Sequence, residues 1–273
     1  MIKKYRFLIA RRITQISIMV LYVIANLFGI NILMGNLSSS LVLNTIPLSD
    51  PYAVLQMFFA GAVISFDILL GAFFILIFYM ILGGRAFCSW VCPVNIITDF
   101  ANYLRKKFGF NQIQKKQPAS RNIRYWIIAI SFIISFLMGI TAFELISPIS
   151  MVHRGIIFGM GFGWAVISII FLFDLFVLKN GWCGHICPLG GFYSLIGRFS
   201  FLRVHHNAQN CTACMKCKEI CPENQVLHMI TKTSMPVLSG ECTNCGRCVE
   251  VCDDDALNFS IKNLIKERQN EVR

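Results

Sequence analysis

Cys211-Thr-Ala-Cys214-Met-Lys-Cys217-Lys-Glu-Ile-Cys221-Pro222 and Cys242-Thr-Asn-Cys245-Gly-Arg-Cys248-Val-Glu-Val-Cys252-Asp253 carry one spacing twice, C-x2-C-x2-C-x3-C. Thiolates are soft, charged donors that cover iron and leave no open coordination position, and eight of them in two matching runs predict two [4Fe–4S] clusters. A structural zinc would need four tetrahedral ligands rather than eight. In two-cluster proteins the first three cysteines of a run hold one cluster and the fourth ligates the other. That precedent assigns Cys211, Cys214, Cys217 and Cys252 to one cluster and Cys242, Cys245, Cys248 and Cys221 to the second. Asp253 stands where proline is usual, which keeps the ligands and adds a carboxylate near one cluster. Clusters closed by four thiolates carry single electrons and seldom bind substrate, so this stretch reads as a relay.

Upstream the chain changes character. The 273 residues are 56% hydrophobic and 14% charged, with a mean hydropathy of +0.62, too apolar for one soluble domain with a polar surface. Runs of 22 to 25 residues at 13–34, 58–82, 125–146 and 156–178 are long enough to cross about 30 Å of hydrocarbon. They predict a membrane α-helical protein with four transmembrane helices, followed by an α+β ferredoxin-like domain. The expected division is 1–204 for the membrane domain, 205–262 for the two-cluster domain and 263–273 for a charged C-terminal tail. Arg11-Arg12 precedes the first run, yet that run is too long for a signal-peptide core and no small-x-small cleavage site follows it, so it reads as an uncleaved anchor.

Charge supplies direction. Residues 1–204 carry 17 basic and 5 acidic residues, against 5 and 7 in 205–262. Lys3, Lys4, Arg6, Arg11 and Arg12 lie before the first run, and Arg85, Arg105, Lys106, Lys107, Lys115, Lys116, Arg121 and Arg124 lie between the second and third. The 35–57 loop has no Lys or Arg. The positive-inside rule therefore predicts a bacterial inner-membrane protein with both termini, the 83–124 loop and the ferredoxin-like domain in the cytoplasm. The basic excess flanks apolar runs and forms no stripe with interleaved aromatics, which argues against a nucleic-acid partner. All twelve cysteines fall in four short clusters at metal-ligand spacing, as expected of ligands or redox thiols in a reducing compartment.

The membrane part also repeats. Leu48-Ser-Asp-Pro51 matches Leu145-Ile-Ser-Pro148, and Cys88-Ser-Trp-Val-Cys92-Pro93 matches Cys183-Gly-His-Ile-Cys187-Pro188. The pattern predicts a tandem two-helix repeat in parallel orientation. A free cysteine is ordinarily a small buried hydrophobe, but two identical C-x-x-x-C-P motifs at equivalent places favour a function. At i and i+4 on a helix the two sulfurs of each pair would share a face, and pseudo-symmetric packing would bring Cys88, Cys92, Cys183 and Cys187 into one redox or metal site. A further metal or cluster and a redox dithiol both remain open for it, with His185 a possible added ligand. No C-x-x-C-H occurs, which excludes covalent c-type haem.

Acids are scarce in the apolar runs, where they are costly enough to be functional candidates. Quinol oxidation releases two protons with two electrons and needs a general base at membrane depth. Asp67, Glu144 and His153 are the candidate proton acceptors, and Asp174 is the other acid inside a run. For each, a helix-packing hydrogen bond is an equally good account.

Taken together, the four runs, the two C-x-x-x-C-P motifs and the C-terminal pair of cluster runs resemble the NapH family of ferredoxin-type quinol dehydrogenase membrane subunits from periplasmic nitrate reduction. The wider superfamily includes NosR, CcoG and MauN. NosR-like proteins carry a large extra periplasmic domain and CcoG-like ones a C-terminal extension, for which 273 residues leave no room. The resemblance implies oxidation of menaquinol or ubiquinol from the quinone pool, with electrons passed through a NapG-like periplasmic iron–sulfur protein towards nitrate reductase. It places cluster ligands on the eight cysteines at 211–252 and supplies no quinone ligand. A CcoG-like handling of copper, a role in oxidase or cluster assembly, a MauN-like electron carrier and a plain membrane anchor are the rival readings.

Overall fold

The computed structural model describes residues 5–29, 33–43, 45–110, 120–159, 161 and 163–261. The 263–273 tail, together with Lys3, Lys4, Lys115 and Lys116 of the charge argument, lies outside the described residues. In chain order the elements are α1 (Arg6–Phe28), β1 (Leu33–Gly35), β2 (Ser39–Val42), β3 (Ile46–Ser49), α2 (Pro51–Phe59), α3 (Phe66–Leu82), α4 (Ala86–Trp90), α5 (Val94–Lys107) and α6 (Ile123–Met138). Then come α7 (Ala142–Ile146), α8 (Pro148–Phe158), α9 (Gly163–Leu172), two π-turns at Phe173–Val177 and Trp182–Ile186, and α10 (Pro188–Gly197). The last part holds β4 (Leu202–His206), α11 (Lys216–Ile220), β5 (Met235–Pro236), α12 (Arg247–Glu250) and β6 (Leu257–Ile261).

The chain is largely helical with a ferredoxin-like C-terminal part, but the expectation of four continuous helices needs correction. Among the described residues only α1, with 23 residues, is both long and apolar enough to cross a membrane by the usual length criterion. The other apolar runs are interrupted. Gly61 (φ +72°) separates the end of α2 from α3, Gly139 (φ +64°) ends α6, and Gly159 (φ +96°) divides α8 from α9. A left-handed residue at a helix end stops propagation and costs glycine little. A hydropathy window sees apolar side chains and not φ, so it joins what the backbone separates. The 17 residues of α3 rise about 25 Å at about 1.5 Å each.

The two halves of the apolar part nonetheless run through equivalent elements. Pro51 opens α2 and Pro148 opens α8, each in the first turn, where the missing N–H would have no helical partner. The Asp50 carboxylate accepts from the Tyr52 N–H and caps α2. The order α2, α3, α4, α5 in the first half parallels α8, α9, π-turn, α10 in the second.

Contacts divide the described residues into two compact units. One draws on 1–14, 78–91 and 193–273, the other on 15–77 and 92–192. In the first unit β4 lies between β5 and β6, antiparallel to both, with Val204 opposite Phe259 and His206 opposite Leu257 and Met235. Val204, Val226, Leu227, Met229, Ile230, Val237 and Leu257 form its core with Cys217, Cys221 and Cys248. Glycine permits its closest approach: a Cβ on Gly240 would stand 2.0 Å from the Ser194 carbonyl oxygen, and one on Gly84 2.0 Å from that of Tyr193. Phe87 stacks on Tyr193 at 5.3 Å beside them.

The second unit holds the meander β1-β2-β3, with α2 against α6 and α5 against α8 and α9. Tyr52 is buried among Phe132, Phe143 and Phe192, and its hydroxyl lies 2.6 Å from Ser131 Oγ. Burial chiefly pushes the Tyr52 phenol up to about 12, with the Ser131 and Gln56 hydrogen bonds working against it. Arg105 Nη1 donates to the carbonyls of Asp174 at 3.1 Å and Leu175 at 3.3 Å, which a helix-like π-turn leaves without partners.

Candidate iron–sulfur centres

In both cysteine runs the chain turns through left-handed residues at matching places. Ala213 and Met215 flank Cys214, and Asn244 and Gly246 flank Cys245, all with φ between +46° and +74°. Each run then enters a short helix, α11 or α12, that carries its third cysteine. A loop reversed twice around the middle cysteine points successive thiols to one side.

Two cavities result. Cys242, Cys245 and Cys248 line one, and Cys221 from the other run completes the set, with Val204, Leu227 and Val237 as apolar wall. The second is lined by Cys211, Cys214 and Cys217 with Cys252 from the other run, against Ile230 and Leu257. Among the described residues no three His, Cys, Asp or Glu side chains converge tightly enough to hold a single metal ion. Four thiols spread around an apolar cavity fit a multi-atom cluster better than a lone ion. Burial raises the Cys217 and Cys248 thiols above their ordinary values, and neighbouring thiols of the same cavity add to the effect. Cys242 is pushed up to about 11, chiefly by burial, while the charges of Arg203 and Arg85 pull the other way. Four thiolates in so dry a space need bound cations, which the iron of a cluster supplies.

The two cavities differ in exposure. In the first set Cys221, Cys245 and Cys248 are buried and Cys242 is partly exposed; in the second Cys217 is buried, Cys211 and Cys252 are partly exposed and Cys214 is exposed. Near the exposed set Lys216 Nζ pairs with Asp253 at 2.9 Å, both side chains open to solvent. Near the buried set Arg85 Nη1 donates to Glu223 Oε1 at 2.7 Å, with both side chains at most 2% exposed, and to the Glu241 carbonyl at 3.1 Å. The segment carrying Arg85 is fixed further by Ser89 Oγ donating to Thr243 O (2.7 Å), Trp90 Nε1 to Asn244 O (3.1 Å) and Asn244 Nδ2 to Leu82 O (2.7 Å). Glu223 itself lines the buried cavity.

The C-x-x-x-C-P motifs are built differently from the expected helical pairs. Cys88 lies in α4, which ends before Cys92, and Cys183 lies in a π-turn whose cap is Cys187. Neither pair sits at i and i+4 of a continuous α-helix, because a residue before proline avoids helical backbone; Cys187, at φ −61° and ψ 113°, is extended. Cys92 and Cys187 are buried, and Cys88 and Cys183 are partly exposed. Gln15 Nε2 donates to the Cys92 carbonyl at 3.2 Å, and buried Arg124 to that of Gly184 at 3.3 Å. His185 is buried in the second motif.

The proton-acceptor candidates scatter. Asp67 is exposed in the first turn of α3. Glu144 Oε1 accepts from Ser38 Oγ at 2.7 Å and Ser150 Oγ at 2.6 Å. His153 is buried edge-on to Tyr22 at 4.8 Å, and neither ring nitrogen has a hydrogen-bond partner among the described residues. Burial, then the charge of Arg154, lowers its pKa from the ordinary value. Buried Asp174 accepts from the Trp182 N–H at 3.0 Å, a turn-holding bond. Missing from the sequence reading are the buried arginines. Arg85, Arg105 and Arg124 count there only as charges flanking the apolar runs, yet each is at most 1% exposed. Arg85 is set among small and apolar residues, which is a faint mark, whereas Arg105 heads a basic run with Lys106 and Lys107 and looks like any flanking charge.

Two family models match the chain. One described as a 4Fe-4S binding domain covers residues 57–111 and 160–205, taking in both C-x-x-x-C-P motifs, and one described as a 4Fe-4S dicluster domain covers 203–253. The methylamine utilization ferredoxin-type protein MauN of Methylorubrum extorquens is 42% identical over 244 residues, 88% of this chain and 84% of the relative. The ferredoxin-type protein NapH of Haemophilus influenzae is 42% identical over 224 residues, 81% of this chain and 77% of the relative. NapH of Escherichia coli is 41% identical over 226 residues, covering 82% and 78%. No solved structure matches. With motifs, cavities and relatives in agreement, the chain belongs to the ferredoxin-type 4Fe-4S membrane proteins of the NapH and MauN family.

Proposed function

We propose that this protein is a membrane-bound electron carrier of the MauN kind, which moves single electrons through two [4Fe–4S] clusters between a membrane-side donor and a redox partner of an amine-utilising system. The observation that carries this reading is the pair of cavities within one compact unit, each lined by four cysteines and an apolar wall. MauN leads because the match to it is longer, 244 residues against 224.

A second reading, quinol oxidation feeding a NapG-like partner and periplasmic nitrate reductase, is favoured by His153. A buried imidazole whose pKa is lowered by burial, and whose two nitrogens have no partner among the described residues, suits a proton acceptor for a quinol hydroxyl. Glu144, already holding two serine hydroxyls, is then the next carboxylate for the proton.

In either reading α1, α3, α6 and α9 with its π-turn are four crossings, and 205–262 is cytoplasmic. Supporting this, α3 and α6 turn Phe73, Phe74, Phe78, Ile133, Phe136 and Leu137 outward while Ser131 and Ser135 face inward, the reverse of a soluble helix. Helices of 15 to 17 residues lie at the short end for spanning and suit a locally thinned bilayer.

Anaerobic purification with iron and sulfide analysis, followed by EPR during titration with a menaquinol analogue, tests both. About eight iron per chain is expected for two clusters, and a C-terminal GFP fusion should fluoresce in the cytoplasm. Reduction by quinol selects the second reading; clusters that ignore quinol but accept an electron from a low-potential donor select the first. A preparation that binds zinc and no iron ends both.

A further inference from the structure

Arg203, in the central strand β4, is 2% exposed. Its Nε donates to Ser200 O at 3.0 Å, Nη1 to Val237 O at 2.8 Å, and Nη2 to Gly197 O at 2.8 Å and Arg198 O at 2.7 Å. Every one of these acceptors is a main-chain carbonyl. The donors are satisfied, but among the described residues no carboxylate balances the charge, and an enclosed cation without a counter-charge is strongly unfavourable. Arg85, the other buried cation near this site, differs: Glu223 neutralises it at 2.7 Å.

What lies next to Arg203 supplies the missing charge. Val237, whose carbonyl it holds, lines the cavity of Cys221, Cys242, Cys245 and Cys248, and the Arg203 charge acts on the Cys242 thiol of that cavity, although Val204, next along the strand, turns to the opposite face of the sheet; Arg247, which also lines the cavity, is partly exposed. We propose that Arg203 is the counter-charge of the cluster held there, and that it makes this buried cluster easier to reduce than the one at Cys211, Cys214, Cys217 and Cys252. A cluster with four thiolates is an anion. Reduction adds one electron, taken from the relay's donor and later passed on, with no bond made or broken. Burial alone opposes that added charge, and a cation in the same low-dielectric space offsets it. At the exposed site the nearby cation, Lys216, is open to solvent and already paired with Asp253, so it contributes little.

The plainer role for Arg203 is to cap the last carbonyls of α10. Charge and capping separate by substitution, because Arg203→Lys keeps the charge and Arg203→Gln keeps only part of the hydrogen bonding. The inference rests on the two-cluster reading, so iron and sulfide content is measured first on the holoprotein. EPR-monitored redox titration of wild type, Arg203→Lys and Arg203→Gln then follows, with an aqueous paramagnetic relaxant marking the exposed cluster. The relaxant-insensitive signal should reduce first in wild type. Arg203→Gln should lower its potential and leave the other signal in place, while Arg203→Lys stays close to wild type. A fully loaded Arg203→Gln protein with unshifted potentials overturns the counter-charge. Should neither variant assemble clusters, the wild-type order decides: buried first upholds the inference and exposed first overturns it. Wild type without two clusters removes the relay reading itself.

Discussion

The eight cysteines at 211–252 and the four in the C-x-x-x-C-P motifs obey equally regular spacings but reach different outcomes. In the first set, left-handed residues at Ala213, Met215, Asn244 and Gly246 bend each loop around its thiols, and a fourth cysteine arrives from the opposite run. In the second, a proline after each pair parts the two cysteines between a short helical turn and the next element. Spacing specifies a site on its own only when the intervening residues also impose the turn. Otherwise the site depends on what the rest of the molecule brings to it.

The largest effect that separates the two sets is loss of a cluster. Cys245→Ser should remove the buried cluster and, because that cavity adjoins the core of its unit, most of the protein's resistance to unfolding; Cys214→Ser should remove the exposed cluster and leave the other partly intact. Cys88→Ser, Cys187→Ser and the double change should keep both clusters. If the four motif thiols act as one unit, these three proteins lose quinol-dependent electron transfer to a similar, severe extent, since members of one network are not additive. Mild single effects that simply sum, with full iron, would mark them as packing groups.

Next in size is the anchor between the first motif's segment and the buried cavity. Arg85→Met leaves Glu223 charged and enclosed, and removing one partner of a buried pair costs about 3–5 kcal/mol. Adding Glu223→Gln should restore most of that loss. Chemical unfolding followed by cluster absorbance reads it, and a single change costing no more than a surface pair would show that Arg85 is not buried as described.

The smallest effect concerns pH. The folded pKa of His153 lies below the ordinary histidine value, so the unfolded chain takes up its proton first as pH falls. Stability from this group is therefore complete above about 6.5 and declines as pH drops towards the depressed value, by no more than about 1.4 kcal/mol per pH unit for one proton. His153→Gln should flatten that slope in thermal melts between pH 7 and 5. An unchanged slope would mean that His153 is solvated, and would weaken the quinol reading with it.

Much of this is legible in the sequence, for reasons that can be named. Cluster ligation is local chemistry, so two C-x2-C-x2-C-x3-C runs announce themselves, as do the helix-opening prolines of the repeat. The interruptions at Gly61, Gly139 and Gly159 are not legible to a hydropathy count, because the break lies in a backbone angle and the flanking residues stay apolar. Arg85 is counted as a topology signal because its partner lies 138 residues away. Arg203 is harder still, since its hydrogen-bond partners are main-chain carbonyls, which leave no mark in sequence.

The contact between the start of α1 and α12 bears on how the protein is made. Glu250 accepts hydrogen bonds from the main-chain N–H groups of Phe7 and of Leu8, the latter at 3.0 Å, across more than 240 residues. Those two groups belong to the first turn of a helix and have no partner within it. A ribosome therefore releases the beginning of α1 long before the carboxylate that completes it has been translated. The unit formed by 1–14, 78–91 and 193–273 closes only after nearly the whole chain has emerged. Its early segments must wait in an unfinished state, and the cysteine set of the first run, which takes Cys252 from the second, is complete only when the second run has been translated.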